Sequence, residues 1–87
     1  MSKIHFTLYG RSYCHLCDDM LQALQQLDNE AQPLFDVKCV DVDIDPGLVA
    51  LYDELVPVLI GQKAQQAPVQ LCHYFLDVKK VQAFLQD

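Results

Sequence analysis

Ile4-His5-Phe6-Thr7-Leu8-Tyr9-Gly10-Arg11-Ser12-Tyr13-Cys14-His15-Leu16-Cys17 contains the change of period that decides the fold. Ile4, Phe6 and Leu8 alternate with His5, Thr7 and Tyr9, which predicts a strand closed by Gly10. From Leu16 the apolar residues Met20, Leu24 and Leu27 recur at intervals of four, four and three, with Leu21 alongside. That period predicts an amphipathic helix running roughly from Cys14 to Asn29. A strand that hands over to a helix at a cysteine pair is the organising feature, and the remaining elements fall around it.

Downstream, a second strand is expected over Leu34 to Asp41. Phe35, Val37 and Cys39 share one of its faces while Asp36 and Lys38 share the other, and the polar face suits a sheet edge. Asp45-Pro46 combines an N-cap residue with proline at the first helical position, so a short helix should cover Gly47 to Glu54. Pro57 precedes a short apolar strand, Val58-Leu59-Ile60, closed by Gly61. The polar, turn-prone stretch from Gly61 to Pro68 joins it to another strand, Val69 to Phe75, as a hairpin. Asp77 can cap a final helix with Val78, Val81, Phe84 and Leu85 on one face. The order βαβαββα predicts an α/β architecture, a four-stranded mixed sheet flanked by helices, in a single domain over residues 1–87. The first two strands form a parallel unit by right-handed crossover, and the last two an antiparallel pair.

Composition removes whole classes of function. With 87 residues, 52% of them hydrophobic and 21% charged, the chain has enough apolar material for one core and is not a disordered tail. A net charge of −6, with six Lys and Arg scattered along the chain, forms no patch that could release counterions from a phosphate backbone or an anionic membrane. Nucleic-acid and membrane partners are therefore not expected. No stretch approaches the roughly 20 apolar residues of a membrane span. Met1-Ser2-Lys3-Ile4-His5-Phe6 lacks the apolar run and cleavage site of a secretory leader, so the expectation is a cytoplasmic monomer.

The four cysteines divide into two kinds. Cys14 and Cys17 stand at positions i and i+3 of the first helical turn, where a disulfide can close. At that mouth, unpaired N–H groups and the positive end of the helix dipole face the first sulfur. They favour its thiolate, the species that attacks disulfides. Arg11, and His15 when protonated, add to that effect, whereas Asp18 and Asp19 oppose it. Cys14 is thus expected to be the exposed nucleophile and Cys17 the shielded, resolving thiol. Two further roles for the pair stay open. It could be half of a metal site, although no second such pair exists and Cys39, Cys72, His5, His15 and His73 do not fall at zinc-knuckle spacing, so no metal site is expected. It could also belong to a redox-inert or metal-binding interaction module. Cys39 and Cys72 lie singly in apolar runs and are expected to be small core residues. With the second and fourth strands on opposite edges, they should not bond to each other.

Thr7-Leu8-Tyr9-Gly10-Arg11-Ser12-Tyr13-Cys14-His15-Leu16-Cys17, then Val40-Asp41-Val42-Asp43-Ile44-Asp45, then Leu55-Val56-Pro57-Val58-Leu59 resemble the glutaredoxin-like branch of the thioredoxin superfamily over nearly the whole chain. The resemblance implies a thiol–disulfide oxidoreductase in which Cys14 attacks, Cys17 resolves, and a cis Pro57 faces them. It implies that the Val56 backbone pairs with a substrate chain as an added strand. It also makes Arg11 and Tyr13 substrate-contacting residues, with Arg11 standing where glutaredoxins usually have a lysine that meets a glutathione carboxylate. No bound cofactor is implied. Glutathione is a candidate co-substrate, protein or glutathione disulfides are the partners, and glutathione or a reductase is the electron donor. The chain departs from the pattern in two places. His15 and Leu16 replace proline and an aromatic residue between the cysteines, and Tyr74-Phe75-Leu76 replaces paired glycines that let the backbone approach glutathione.

Overall fold

The computed structural model describes residues 4–12, 14–27 and 35–86. Strand β1 (Ile4–Gly10) leads to helix α1 (His15–Gln26), strand β2 (Asp36–Asp41), a single 3₁₀ turn (Val42–Ile44) and helix α2 (Pro46–Tyr52). Strands β3 (Val58–Lys63) and β4 (Val69–His73) and helix α3 (Val78–Gln86) complete the chain. The sheet order is β2-β1-β3-β4, with β1 parallel to β2 and antiparallel to β3, and with β3 antiparallel to β4. The expected α/β architecture and both edge positions are observed.

Alternation along β1 decides the layers. Phe6 and Leu8 point to the face that carries the main core, where Met20 and Leu24 of α1, Phe35, Leu59, Leu71 and Val81 of α3 close around them. Phe6 and Phe35 meet edge-on with ring centroids 4.8 Å apart. Tyr9 points the other way and stacks on Tyr52 of α2 at 4.8 Å, so α2 covers the opposite face. The three buried residues of α1, Cys17, Met20 and Leu24, follow one helical stripe, and the first of them is the second member of the cysteine pair.

Local sequence sets the helix starts as expected. Asp45 Oδ1 accepts the Gly47 N–H at 2.8 Å with Pro46 at the first helical position. Asp77 Oδ1 accepts the Lys80 N–H at 3.1 Å. Several boundaries move. Helix α1 begins at His15, with Cys14 as its N-cap, and ends at Gln26. The Asn29 and Leu34 limits lie outside the described residues. Helix α2 stops at Tyr52, two residues short of Glu54, because the chain turns there toward Pro57. Strand β3 does not close at Gly61 but runs on to Lys63. Gly61 pairs with Phe6, and its missing side chain leaves room for the Phe84 ring, 2.8 Å from where a Cβ would stand. Strand β4 ends at His73 instead of Phe75, because Tyr74 takes a left-handed backbone with φ 64° that no strand continues.

Two core assignments also change. Cys39 is exposed, because β2 is an edge strand, and only Cys72, half-buried, packs against the core. On α3, Val81, Phe84 and Leu85 pack inward, but Val78, in the first turn of the helix, is 42% exposed. Among the described residues no helix is long and apolar enough to cross a membrane.

A candidate redox site at the mouth of the first helix

Strand β1 delivers the chain to one end of the sheet at Gly10, and α1 returns from there. Cys14 sits at the junction with extended backbone, φ −108° and ψ 106°, and its Sγ accepts the Cys17 N–H at 3.1 Å. A cysteine sulfur therefore fills the capping role that a serine or aspartate oxygen usually takes, and it receives an N–H left unpaired by the first turn. Cys14 and Cys17 are joined in a disulfide with their Cα atoms 5.2 Å apart. Cys14 is half-buried while Cys17 is 8% exposed, so the first cysteine is the more accessible residue of the two.

Gly10 is a site residue whose role the sequence pattern does not single out. A Cβ there would stand 2.8 Å from Cys17 Sγ, so the disulfide can lie this close to β1 only over a glycine. The available signal is a glycine ending a strand just before a cysteine loop. A cleft of about 280 Å³ opens beside the disulfide, bounded by Gly10, Arg11, Cys17, Asp18, Cys39 and Asp41.

The Arg11 side chain is engaged by two carboxylates. Its Nε donates to Asp43 Oδ1 at 3.2 Å, and its terminal nitrogens donate to the Asp53 carboxylate and, at 3.4 Å, to the Asp53 carbonyl. The hydrogen bond to Asp53 is the largest of the effects that hold the guanidinium above its ordinary pKa. Arg11 thereby ties the loop before Cys14 to the 3₁₀ turn and to the end of α2. Tyr13 lies outside the described residues.

The Val56–Pro57 peptide is cis, as the resemblance implies, and Pro57 is buried. It feeds β3, whose first residue pairs with Tyr9, so Val56 and Pro57 arrive at the same end of the sheet as Gly10. The Val56 N–H donates to the Tyr52 carbonyl at 3.1 Å, which uses the donor that an added strand would need. Cys39 and Cys72 are both free thiols on opposite edge strands, with β1 and β3 between them. Burial pushes the Cys72 thiol above its ordinary value of 9.0. Among the described residues no group of three or more His, Cys, Asp and Glu is arranged to hold a metal ion.

A cysteine pair at the N-terminus of the helix that follows β1, on a sheet of order β2-β1-β3-β4, defines the class: a thioredoxin-like protein equipped for a redox role. Within that class, the model of the family described as Glutaredoxin-like domain (DUF836) matches residues 5–86, and the chain belongs to that family. It is similar to a Nitrosomonas europaea protein solved by solution NMR, with 32% identity over 97% of this chain and 93% of that one, and a TM-score of 0.76. An X. campestris protein solved by X-ray methods is 31% identical, covering 93% of this chain and 95% of that one, at a TM-score of 0.61. The fold is shared with chloroplastic thioredoxin z, at 17% identity over 98% of this chain and 77% of that one, TM-score 0.71. A search of curated proteins gives no match.

Proposed function

We propose that the protein is a thiol–disulfide oxidoreductase acting on disulfides carried by protein chains, with glutathione disulfide as the smaller alternative substrate. One observation carries this: Cys14 Sγ caps α1 on the Cys17 N–H, within disulfide distance of a second, more buried cysteine. In the reduced protein the Cys14 thiolate attacks one sulfur of a substrate disulfide, forms a mixed disulfide and expels the other sulfur as a thiolate, which takes up a proton. Cys17, having given up its proton, attacks Cys14 Sγ and releases the remaining substrate thiolate. The substrate gains two electrons in all, and the protein is left with the Cys14–Cys17 disulfide. Glutathione or a reductase-linked dithiol then returns the electrons.

Arg11 bears on substrate choice. Its guanidinium already serves Asp43 and Asp53, so a glutathione carboxylate would have to displace one of them. Phe75, 70% exposed next to Tyr74, offers apolar surface to a protein chain. Val56 and Pro57 supply the backbone edge, with the Val56 carbonyl as the group that receives a substrate N–H.

Cys17→Ser tests the roles. Mixed with glutathione disulfide or a disulfide-bearing peptide, the variant should trap the substrate on Cys14, detected as a mass adduct. With the exposed free thiol Cys39 replaced by serine in both variants, Cys14→Ser should trap nothing. Alkylation of each single variant across pH should show the lower pKa at Cys14, and the reverse order would overturn the assignment.

A further inference from the structure

The turn between β4 and α3 grips the segment that leads into Pro57. Tyr74 holds a left-handed backbone, φ 64°, that residues other than glycine keep only where their surroundings enforce it. Its side chain is 40% exposed, so burial is not what enforces it. Hydrogen bonds do: the Tyr74 N–H donates to the Pro57 carbonyl at 2.9 Å, and the Tyr74 O–H donates to the Glu54 carbonyl at 2.5 Å. The two acceptors bracket Leu55 and Val56. The residue just before this segment is held as well, where Arg11 binds the Asp53 carboxylate and carbonyl.

We propose that Tyr74 is a positioning residue for substrate binding: by holding both ends of residues 54–57 it fixes the Val56 backbone edge relative to Cys14. The inference rests on the thiol–disulfide function proposed above. It assigns Tyr74 no contact with the reacting sulfurs, and it places the effect in binding, because the chemistry at Cys14 depends on α1 and not on this turn. The hydroxyl is the informative atom. It spans twenty residues of sequence to a carbonyl that lies outside both neighbouring elements.

Tyr74→Phe removes only the hydroxyl, whereas Tyr74→Gly keeps the left-handed turn and its N–H and removes the side chain. The parent and each full-length variant, all carrying Cys39→Ser so that the exposed free thiol gives no signal and all pre-reduced, are followed in single turnover against 5,5′-dithiobis(2-nitrobenzoate) and against an extended peptide carrying a disulfide. Amide hydrogen exchange at Leu55 and Val56 is measured in parallel. For both variants, alkylation of Cys14 and reduction of the small disulfide should stay within about twofold of the parent. The half-saturating peptide concentration should rise about three- to tenfold at unchanged maximal rate, and Leu55 and Val56 should exchange faster by a similar factor, the range of one neutral hydrogen bond. Unchanged half-saturation and exchange in a folded variant overturn the proposal, as does tighter peptide binding. If the parent itself reduces neither disulfide, the thiol–disulfide function fails, and the exchange rates at Leu55 and Val56 alone decide whether Tyr74 positions the segment.

Discussion

Gly10 lies directly against Cys17: a Cβ added to the glycine would stand 2.8 Å from the cysteine Sγ and 3.2 Å from its Cβ. The contact, not the backbone, demands glycine here, since no described glycine has a positive φ. In the oxidised protein Sγ cannot rotate away, because it is bonded to Cys14, and α1 cannot back off without pulling Met20 and Leu24 out of the core. Gly10→Ala should therefore cost the oxidised form about 1–3 kcal/mol, the usual range for overpacking. The reduced form should lose less, because the freed Cys17 side chain can change rotamer. Denaturant titration of both redox states measures this, and equal losses would contradict the role given to the disulfide.

Arg11 holds two carboxylates and a carbonyl with one planar fork, which a lysine ammonium cannot do. Both pairs are solvent-accessible, so Arg11→Lys should destabilise only slightly, and less in high salt. The pH dependence follows from the raised pKa of Arg11. Its contribution is complete throughout the range in which a free guanidinium stays protonated and is lost only as pH climbs through the still higher folded value. The difference between parent and variant should thus be flat from about pH 6 to pH 9. Urea titrations at those two pH values, in low and molar salt, are the measurement, and a gap that widens with pH would count against this account.

What was legible in the sequence follows from how local each cause is. The handover from β1 to α1 shows because two periods meet at Cys14, and the caps at Asp45 and Asp77 show because a cap acts within three residues. Features set by distant partners do not show. Arg11 meets Asp43 and Asp53 across 32 and 42 residues, and nothing near Arg11 marks either. Gly61 looks like a strand end until Phe84 is seen to need its space. Cys39 has the neighbours of a core residue, yet it sits on an edge strand and is exposed. The cis state of the Val56–Pro57 peptide was legible only through family resemblance, and the use of the Val56 N–H by Tyr52 was not legible at all.

Gly61 offers a packing test away from the site. An added Cβ would meet Phe84 Cε2 at 2.8 Å and Leu71 Cδ1 at 3.0 Å, and Phe84 is itself held between Phe6 and the Lys63 ammonium. Gly61→Ala should destabilise by about 1–3 kcal/mol. Adding Phe84→Leu, which withdraws the ring edge, should recover part of that loss beyond simple additivity. A double-mutant cycle by thermal or urea denaturation checks it, and strictly additive losses would mean that the ring is not the obstacle.

Cys39 and Cys72 should separate in reactivity, because one edge strand leaves its thiol in solvent and the other tucks it against the core. At pH 8, with the Cys14–Cys17 disulfide intact, iodoacetamide should label Cys39 more than about threefold faster than Cys72, since alkylation follows thiolate fraction and access. Burial raises the Cys72 pKa, so the folded protein binds that proton more tightly than the unfolded chain does. The resulting stability is complete below the ordinary thiol value of 9.0 and drains away as pH rises through the folded value, so Cys72→Ala should flatten the alkaline decline in stability. The same oxidised sample, digested without reductant, should yield no Cys39–Cys72 peptide, because β1 and β3 keep the two strands apart. Faster labelling at Cys72, or a crosslink between the two, would require a different arrangement of the sheet edges.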